Sequence, residues 1–300
     1  MVAGFISRLT SIAARLSVIA LLASACARPP AAPTGLQVVD DLGDTVRLAR
    51  PAARIVSLSP ASTELLFAIG AGAAVVGRTR WCDYPAEAAA VADVGDGIQP
   101  SVEAVVARQP DLIVLYHSAQ NESARQQFAR LGIPTVVLSL DRIEEFEHAA
   151  TVLGILSGHD LDADTMVASL DRRLKTVTVP PAAGVPSVLI LVWDQPPMTI
   201  GSGSFLGDIV TRAGARNLFA DLAASAGVIS VESVVARKPD LILVTSDNEP
   251  AFAKRPEWQT VAAVRLRRFV RVRSSAFNRP SPRMPEAIAE LTARLREATR

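Results

Sequence analysis

SVEAVVARQPDLIVL, at residues 101–115, and SVESVVARKPDLILV, at residues 230–244, are two copies of one sequence unit. Eleven of the 15 aligned positions are identical, and the copies lie 129 residues apart. Solenoid repeats recur every 20–50 residues or so, roughly a quarter of this spacing. The chain therefore carries one copy of the unit in each half rather than an array of repeats.

Each copy predicts a helix followed by a buried strand. Ser101 and Ser230 are of a residue type that caps helix N-termini, and valines then recur at helical spacing. The proline of each copy ends its helix. The apolar runs at 112–115 and 241–244 are typical of strands buried on both faces of a parallel sheet. We therefore expect an α/β protein of two lobes with parallel-sheet cores.

Further elements fit around the two copies. Five more apolar stretches predict strands, at residues 54–58, 75–78, 135–138, 187–192 and 269–272. Ser59 followed by Pro60 predicts the start of a helix that stops near Gly70. Ser204 and Gly214 frame the corresponding helix of the second half. Both halves thus have the alternation of strands and helices that α/β lobes require.

The segment between the halves predicts two helices, at about 143–156 and about 160–178. The second begins with acidic residues and ends with basic ones, which complements the helix dipole. A helix of ~18 residues spans roughly 27 Å, enough to connect two lobes stiffly. We place the N-terminal lobe at 54–158, the connecting helix at 159–180 and the C-terminal lobe at 181–300, and we expect only small lobe movements on ligand binding.

The N-terminus has the order of a secretory signal. Two arginines precede an apolar run and then small residues, which predicts a signal peptide at residues 1–25. Cys26 then resembles the lipidated cysteine of bacterial lipoproteins, although cleavage at an Ala-x-Ala site would instead release a soluble periplasmic protein. Residues 26–53 form a Pro-rich tether and an N-terminal segment. The predicted location is the periplasm or cell envelope.

Composition excludes several classes of protein. The 31 Lys+Arg and 30 Asp+Glu balance to a formal charge of +1, so there is no basic excess to bind nucleic acid. Two cysteines and three histidines without metal-site spacing predict neither a disulfide scaffold nor a metal site, and no cofactor is expected. No Gly-x-Ser-x-Gly elbow with a histidine partner occurs, so we expect no enzyme. We expect a monomer.

Three motifs carry a resemblance to a known family. RIVSLSPASTELLFAIGAG (54–72), GRTRWCDYP (77–85) and FNRPSPR (277–283) resemble segments of the substrate-binding proteins of ABC importers. The class concerned has a helical backbone and takes iron complexes and vitamin B12, and the Cys-Asp-Tyr-Pro segment is similar to that of its cobalamin-binding members. The resemblance covers residues 35–298 and implies a protein that captures a solute between its lobes for a permease.

The resemblance also implies site residues. Glu103 and Glu232, one per copy, are expected to dock the protein on an ABC permease dimer, although a carboxylate in the first helical turn is also stabilised by the dipole alone. Loops at the carboxyl ends of strands are where α/β sheets bind ligands. The residues expected to contact the ligand are Trp81, Tyr116, Trp193, Met198, Ser275, Phe277, Asn278 and Arg279.

The expected ligand is a cobalamin. A corrin is broad, flat and ringed by amides, so its site needs apolar faces and a few polar donors rather than a cluster of charges. A ferric siderophore would favour several convergent arginines. Haem would favour an axial Tyr or His, for which the candidates are Tyr84, Tyr116 and His117. Both remain alternatives, as does a ligand-sensing receptor that works without a permease.

Overall fold

The structure is a computed structural model that describes residues 35–245, 250–273 and 275–299. The predicted signal peptide, Cys26 and the predicted tether up to residue 34 lie outside the described residues. In those three ranges, no helix is both long enough and apolar enough to cross a membrane.

A β-hairpin opens the described chain. Strands β1 (Leu36–Val39) and β2 (Thr45–Leu48) run antiparallel. Asp40 closes the turn between them, because its Oδ1 accepts the backbone N–H of Leu42 at 3.0 Å and of Asp44 at 2.9 Å. This hairpin occupies part of the region that the sequence analysis treated as a plain N-terminal segment.

The first sheet is entirely parallel. Its strands are β3 (Ile55–Ser57), β4 (Val75–Arg78), β5 (Leu112–Tyr116) and β6 (Thr135–Leu138). The crossovers between consecutive strands carry helices α1 (Pro60–Ala68), α2 (Val102–Val106) and α3 (Glu122–Arg130). The strand order is β4-β3-β5-β6, so the strand from the first sequence copy lies between two parallel neighbours. That position explains its uninterrupted apolar run.

Two packed helices follow the first sheet, α4 (Glu145–Ser157) and α5 (Asp160–Val177). Gly158, at φ +74°, makes the turn between them. Gly154 permits their close approach, since a Cβ at that position would lie 2.8 Å from the Cβ of Ala163. The 18 residues of α5 then lead to the second sheet.

The second sheet is mixed. Its strands are β7 (Ser187–Asp194), β8 (Pro197–Ile200), β9 (Arg216–Asn217), β10 (Ala226–Val228), β11 (Leu241–Val244) and β12 (Phe269–Arg271). The order is β10-β8-β7-β11-β12, with β9 also paired to β7. Strand β11 is parallel to both neighbours, whereas β8 runs antiparallel to β7 and β10. The associated helices are α6 (Phe205–Arg212), α7 (Val231–Arg237), α8 (Ala262–Arg265) and α9 (Met284–Ala298).

The helices of the two sequence copies end at different distances from their prolines, α7 just before its proline, as predicted, and α2 a few residues earlier. Helix α2 stops at Val106 and α7 at Arg237. Gln109 and Lys238, each directly before the proline, then adopt positive φ angles of 50° and 52°. In both copies a left-handed residue thus stands directly before the proline that leads into the buried strand.

One hydrophobic core runs through both lobes. Its largest cluster contains Val114 of the first sheet, Leu170 and Leu174 of α5, and Val188 and Ile190 of the second sheet. Two smaller clusters each belong to one lobe. The expected α/β fold of two lobes with parallel-sheet cores is confirmed, with an antiparallel addition in the second sheet.

Candidate ligand-binding cleft

Two adjoining cavities lie where the carboxyl ends of the sheets face each other. The first, here the Trp81 cavity, has a volume of about 490 Å³, and the second, here the Phe205 cavity, about 370 Å³. Both are lined from both lobes, and Leu140, Asp141 and Asn278 border both of them. The Trp81 cavity is lined by Leu58, Ser59, Pro60, Ala61, Thr79, Trp81, Asp83, Asp96, Gly97, Ile98, Tyr116, Leu140, Asp141, Ser275, Asn278 and Arg279. The Phe205 cavity is lined by Leu140, Asp141, Val192, Ile200, Ser204, Phe205, Leu206, Ser225, Ala226, Thr245, Phe277, Asn278 and Pro280.

Trp81 provides a large apolar face to its cavity. It is 60% exposed, and its indole Nε1 donates to Asp96 Oδ2 at 3.5 Å. The next residue anchors the loop, because the buried Cys82 Sγ lies 3.1 Å from Thr63 Oγ1 and 3.2 Å from Thr79 Oγ1. The Cys82 thiol thus anchors the loop in the protein interior, while the neighbouring Trp81 indole remains exposed.

Tyr116 and Asp141 form a hydrogen-bonded pair in the wall of the Trp81 cavity. The phenolic O–H donates to Asp141 Oδ1 at 2.6 Å. Burial and this carboxylate raise the pKa of Tyr116 above its ordinary value. The phenol therefore keeps its proton throughout the physiological pH range and acts as a donor.

A buried cluster of charges joins the two lobes beside the cleft. Glu64 of α1 is fully buried and accepts from Arg283 through both oxygens, at 2.6 and 2.7 Å. Arg279 donates to the same carboxylate at 3.4 Å and also pairs with Asp83. Burial opposes ionisation of Asp83, but its contacts with Arg279 outweigh burial and lower its pKa. The guanidinium of Arg283 also lies 3.9 Å from the centre of the Tyr84 ring.

The remaining residues expected to contact the ligand are placed differently from one another. Ser275 and Asn278 border the Trp81 cavity. Phe277 is 1% exposed and packs in the hydrophobic core while bordering the Phe205 cavity. Trp193 and Met198 are paired across β7 and β8, and neither lines either cavity. The structure therefore brings together only part of the expected set.

Glu103 and Glu232 occupy equivalent places in the two lobes. Both side chains are exposed in the first turn of their helices, α2 and α7. The cap hydroxyls of Ser101 and Ser230 accept the backbone N–H groups of Ala104 and Ser233, at 3.3 and 3.2 Å. Each copy of the repeated unit thus presents its own glutamate to solvent at the equivalent position.

Several cleft residues were missed by the sequence analysis. Asp141 and Ile98 lie in loops without a local motif, so only the fold brings them to the cavity. Glu64 carried a signal, since it is the one charged residue of its helix. Over the described ranges, no group of three His, Cys, Asp or Glu side chains could hold a metal ion.

Comparisons with known proteins agree with this architecture. The periplasmic binding protein family matches residues 55–276. A vitamin B12-binding protein of Yersinia pestis is 29% identical over 249 residues, covering 81% of this chain and 86% of that protein.

Two solved structures share the fold. The periplasmic vitamin B12 binding protein BtuF of Vibrio cholerae has a TM-score of 0.67 and 21% identity, covering 83% of this chain and 99% of that one. The periplasmic heme-binding protein RhuT of Roseiflexus sp. RS-1 has a TM-score of 0.73 and 22% identity, covering 83% of this chain and 100% of that one. The chain thus belongs to the periplasmic binding protein family, and it is a substrate-binding transport protein of the vitamin B12 and iron-complex class rather than an enzyme.

Proposed function

We propose that this protein captures cobalamin in the cleft between its lobes and delivers it to an ABC transporter permease. The observation that carries the proposal is the Trp81 cavity, which combines an exposed indole face with polar groups from both lobes. A flat amphipathic ligand ringed by amides needs this combination. The relatives described as vitamin B12-binding proteins support the same choice.

The contacts in the cleft disfavour haem as the ligand. Axial ligation by tyrosine needs a phenolate, yet Tyr116 donates to Asp141 and its pKa is raised. Tyr84 lies under the guanidinium of Arg283, and His117 Nδ1 is 3.0 Å from Ser139 Oγ. Tyr84 and His117 line neither cavity, and Tyr116, which does line the cleft, is held as a protonated donor.

The contacts also disfavour an anionic ferric siderophore. Such a ligand would need convergent cations, and among the described residues lining the two cavities the one cation is Arg279. That side chain is already paired with Glu64 and Asp83. A siderophore and haem remain the alternatives that the binding experiment distinguishes.

The binding experiment is a calorimetric titration with cyanocobalamin, haemin and a ferric siderophore. Cyanocobalamin should bind tightly, and Trp81→Ala should weaken it at least tenfold, about 1.4 kcal/mol. Trp193→Ala is the matched control, because Trp193 is equally exposed at 60% but lines neither cavity. Binding of either iron compound without cyanocobalamin would overturn the proposal.

Delivery to the permease rests on Glu103 and Glu232, which fit two equivalent arginine sites on a two-fold permease. The double variant Glu103→Ala, Glu232→Ala should lose uptake while keeping ligand affinity. The control is Glu87→Ala with Glu257→Ala, which removes one exposed carboxylate from each half of the chain elsewhere. Normal uptake by the double docking variant would refute docking and favour the ligand-sensing receptor.

Export is the remaining part of the proposal. If cleavage leaves Cys26 as the first residue, the mature protein should carry a lipid there. If cleavage occurs at the nearby Ala-x-Ala site instead, the mature protein should be soluble. Mass spectrometry of the mature protein distinguishes the two, and gel filtration tests the expected monomer. A full-length protein retained in the cytoplasm would contradict delivery from the periplasm.

A further inference from the structure

The charges around the cleft are unequally compensated. Among the described residues that line the two cavities, the acidic and basic side chains are Asp83, Asp96, Asp141 and Arg279. Asp83 is paired with Arg279. Asp96 accepts the backbone N–H of Ile98 at 2.9 Å and is attracted by the nearby Arg80. These two carboxylates therefore have cationic neighbours.

Asp141 is different. Over the described ranges it forms no ion pair, and its side-chain partner is the neutral phenol of Tyr116. Its neighbour Glu145, whose Oε2 accepts the Asp141 backbone N–H at 2.7 Å, adds a second negative charge nearby. The adjacent Arg142 pairs with Glu144 and Asp208 instead.

The position of Asp141 gives this charge a direct effect on the ligand. Asp141 borders both cavities, so a ligand that fills the cleft passes its carboxylate. The Tyr116 hydroxyl fixes Oδ1 and leaves Oδ2 as an acceptor. An amide N–H can donate to this oxygen, whereas a carboxylate on the ligand would meet a like charge in a partly desolvated site.

We propose that Asp141 is a specificity-determining residue, which makes the cleft accept neutral or cationic, amide-bearing ligands and reject those with carboxylates at the same place. The inference rests on the proposed function, because it names the side-chain amides of the corrin as the groups that the site recognises. Tyr116 is a positioning residue in it, since it holds the carboxylate.

The test compares ligands that differ by one charge. The probes are cyanocobalamin and its separated monocarboxylic acids, in each of which one side-chain amide is hydrolysed to a carboxylate. The wild-type protein should bind at least one of these acids about tenfold or more weakly than cyanocobalamin, because like charges are juxtaposed. In Asp141→Asn the preference for the amide over that acid should fall to about threefold or less.

Asp164→Asn is the matched control, since Asp164 is an exposed carboxylate on α5 that lines neither cavity. It should keep the wild-type preference. Tyr116→Phe should weaken cyanocobalamin binding and reduce the preference in part. A preference for the amide that is the same in Asp141→Asn and wild type, for every acid, would overturn the inference while leaving cobalamin capture intact.

Failure of the proposed function gives a separate result. If the wild-type protein binds haemin but not cyanocobalamin, cobalamin capture is wrong, and the probes become haemin and its dimethyl ester. The wild type should then prefer the ester, and Asp141→Asn should lose that preference. A wild-type protein that prefers the free acid, or a variant that keeps the preference for the ester, would overturn the role of Asp141.

Discussion

The two copies of the duplicated unit are built alike at the end of each sheet remote from the cleft. Asp111 accepts the backbone N–H groups of Ala53 and Arg54 at 3.0 and 2.9 Å, just before β3 begins. Asp240 accepts the backbone N–H and the hydroxyl of Ser187, at 2.8 and 2.7 Å, where β7 begins. In each lobe the aspartate after the proline ties the repeated strand to its neighbour.

The copies differ at the ends that face the ligand. Strand β5 ends in Tyr116, which holds Asp141, whereas β11 is followed by Thr245 in the lining of the Phe205 cavity. The two lobes thus share a scaffold and differ in the residues that their strands present to the cleft. The duplicated residues thus account for sheet assembly, and the residues that line the two cavities lie outside the duplicated positions.

The largest expected effect comes from the matched core positions Ile113 and Ile242. Both are 0% exposed in the middle of their strands, and each lies in a cluster confined to its own lobe. Ile113→Ala and Ile242→Ala should each lower the free energy of unfolding by about 2–5 kcal/mol, because each leaves a cavity. Urea unfolding measures this. A large loss in one variant alone would break the equivalence of the copies.

A smaller effect is expected from Asp111→Asn and Asp240→Asn. Each change removes a charge-assisted acceptor at a partly exposed site, and should cost about 1 kcal/mol at pH 7. Thermal unfolding of the two variants should show similar shifts. A change in the stability of only one variant would mean that the aspartates have different roles.

The pH dependence of the folding stability tests the hydrogen bonds of Asp240. The backbone N–H of Ser187, and then its hydroxyl, lower the pKa of Asp240. A lowered pKa stabilises the folded protein above the ordinary value of about 3.9, and this stabilisation is lost as the pH falls through the folded value. Asp240→Asn should therefore lose less stability than wild type on acidification below about pH 4. Equal slopes would contradict the assigned hydrogen bonds.

The smallest effect on stability is expected from Glu103→Ala and Glu232→Ala. Both side chains are exposed, and the serine caps of their helices remain in place. Each single variant should unfold at a urea concentration only slightly below that of wild type, because an exposed carboxylate interacts weakly with the first turn of its helix. A clear loss of stability would show that these carboxylates serve the fold, and would weaken the argument for docking.

The strands of this fold were predictable where a continuous apolar run marks a strand buried in the sheet. The runs at 75–78, 135–138 and 241–244 match β4, β6 and β11 residue for residue. The hairpin of β1 and β2, and the antiparallel strands β8 and β10, were missed. These strands are no shorter than the predicted ones, but they lack a continuous buried apolar run, and β8 begins with a proline. Pairing with neighbouring strands rather than local pattern therefore stabilises them.

The cleft was predictable only in part. Trp81 stands in a recognisable motif after a strand, and the structure puts it in the cavity wall. The contact between Tyr116 and Asp141 joins residues 25 positions apart, and that between Glu64 and Arg283 joins residues 219 apart. Such contacts exist because the fold brings distant segments together, which no local pattern can show.

The core that passes through α5 has a consequence for how the protein folds. Because Leu170 and Leu174 pack in the same cluster as Val114 and Val188, neither lobe can lose its structure without exposing apolar surface of the other. The described chain should therefore melt cooperatively, as a single calorimetric transition. A half-chain expressed alone would lack part of its own core, so this two-lobed molecule is one folding unit.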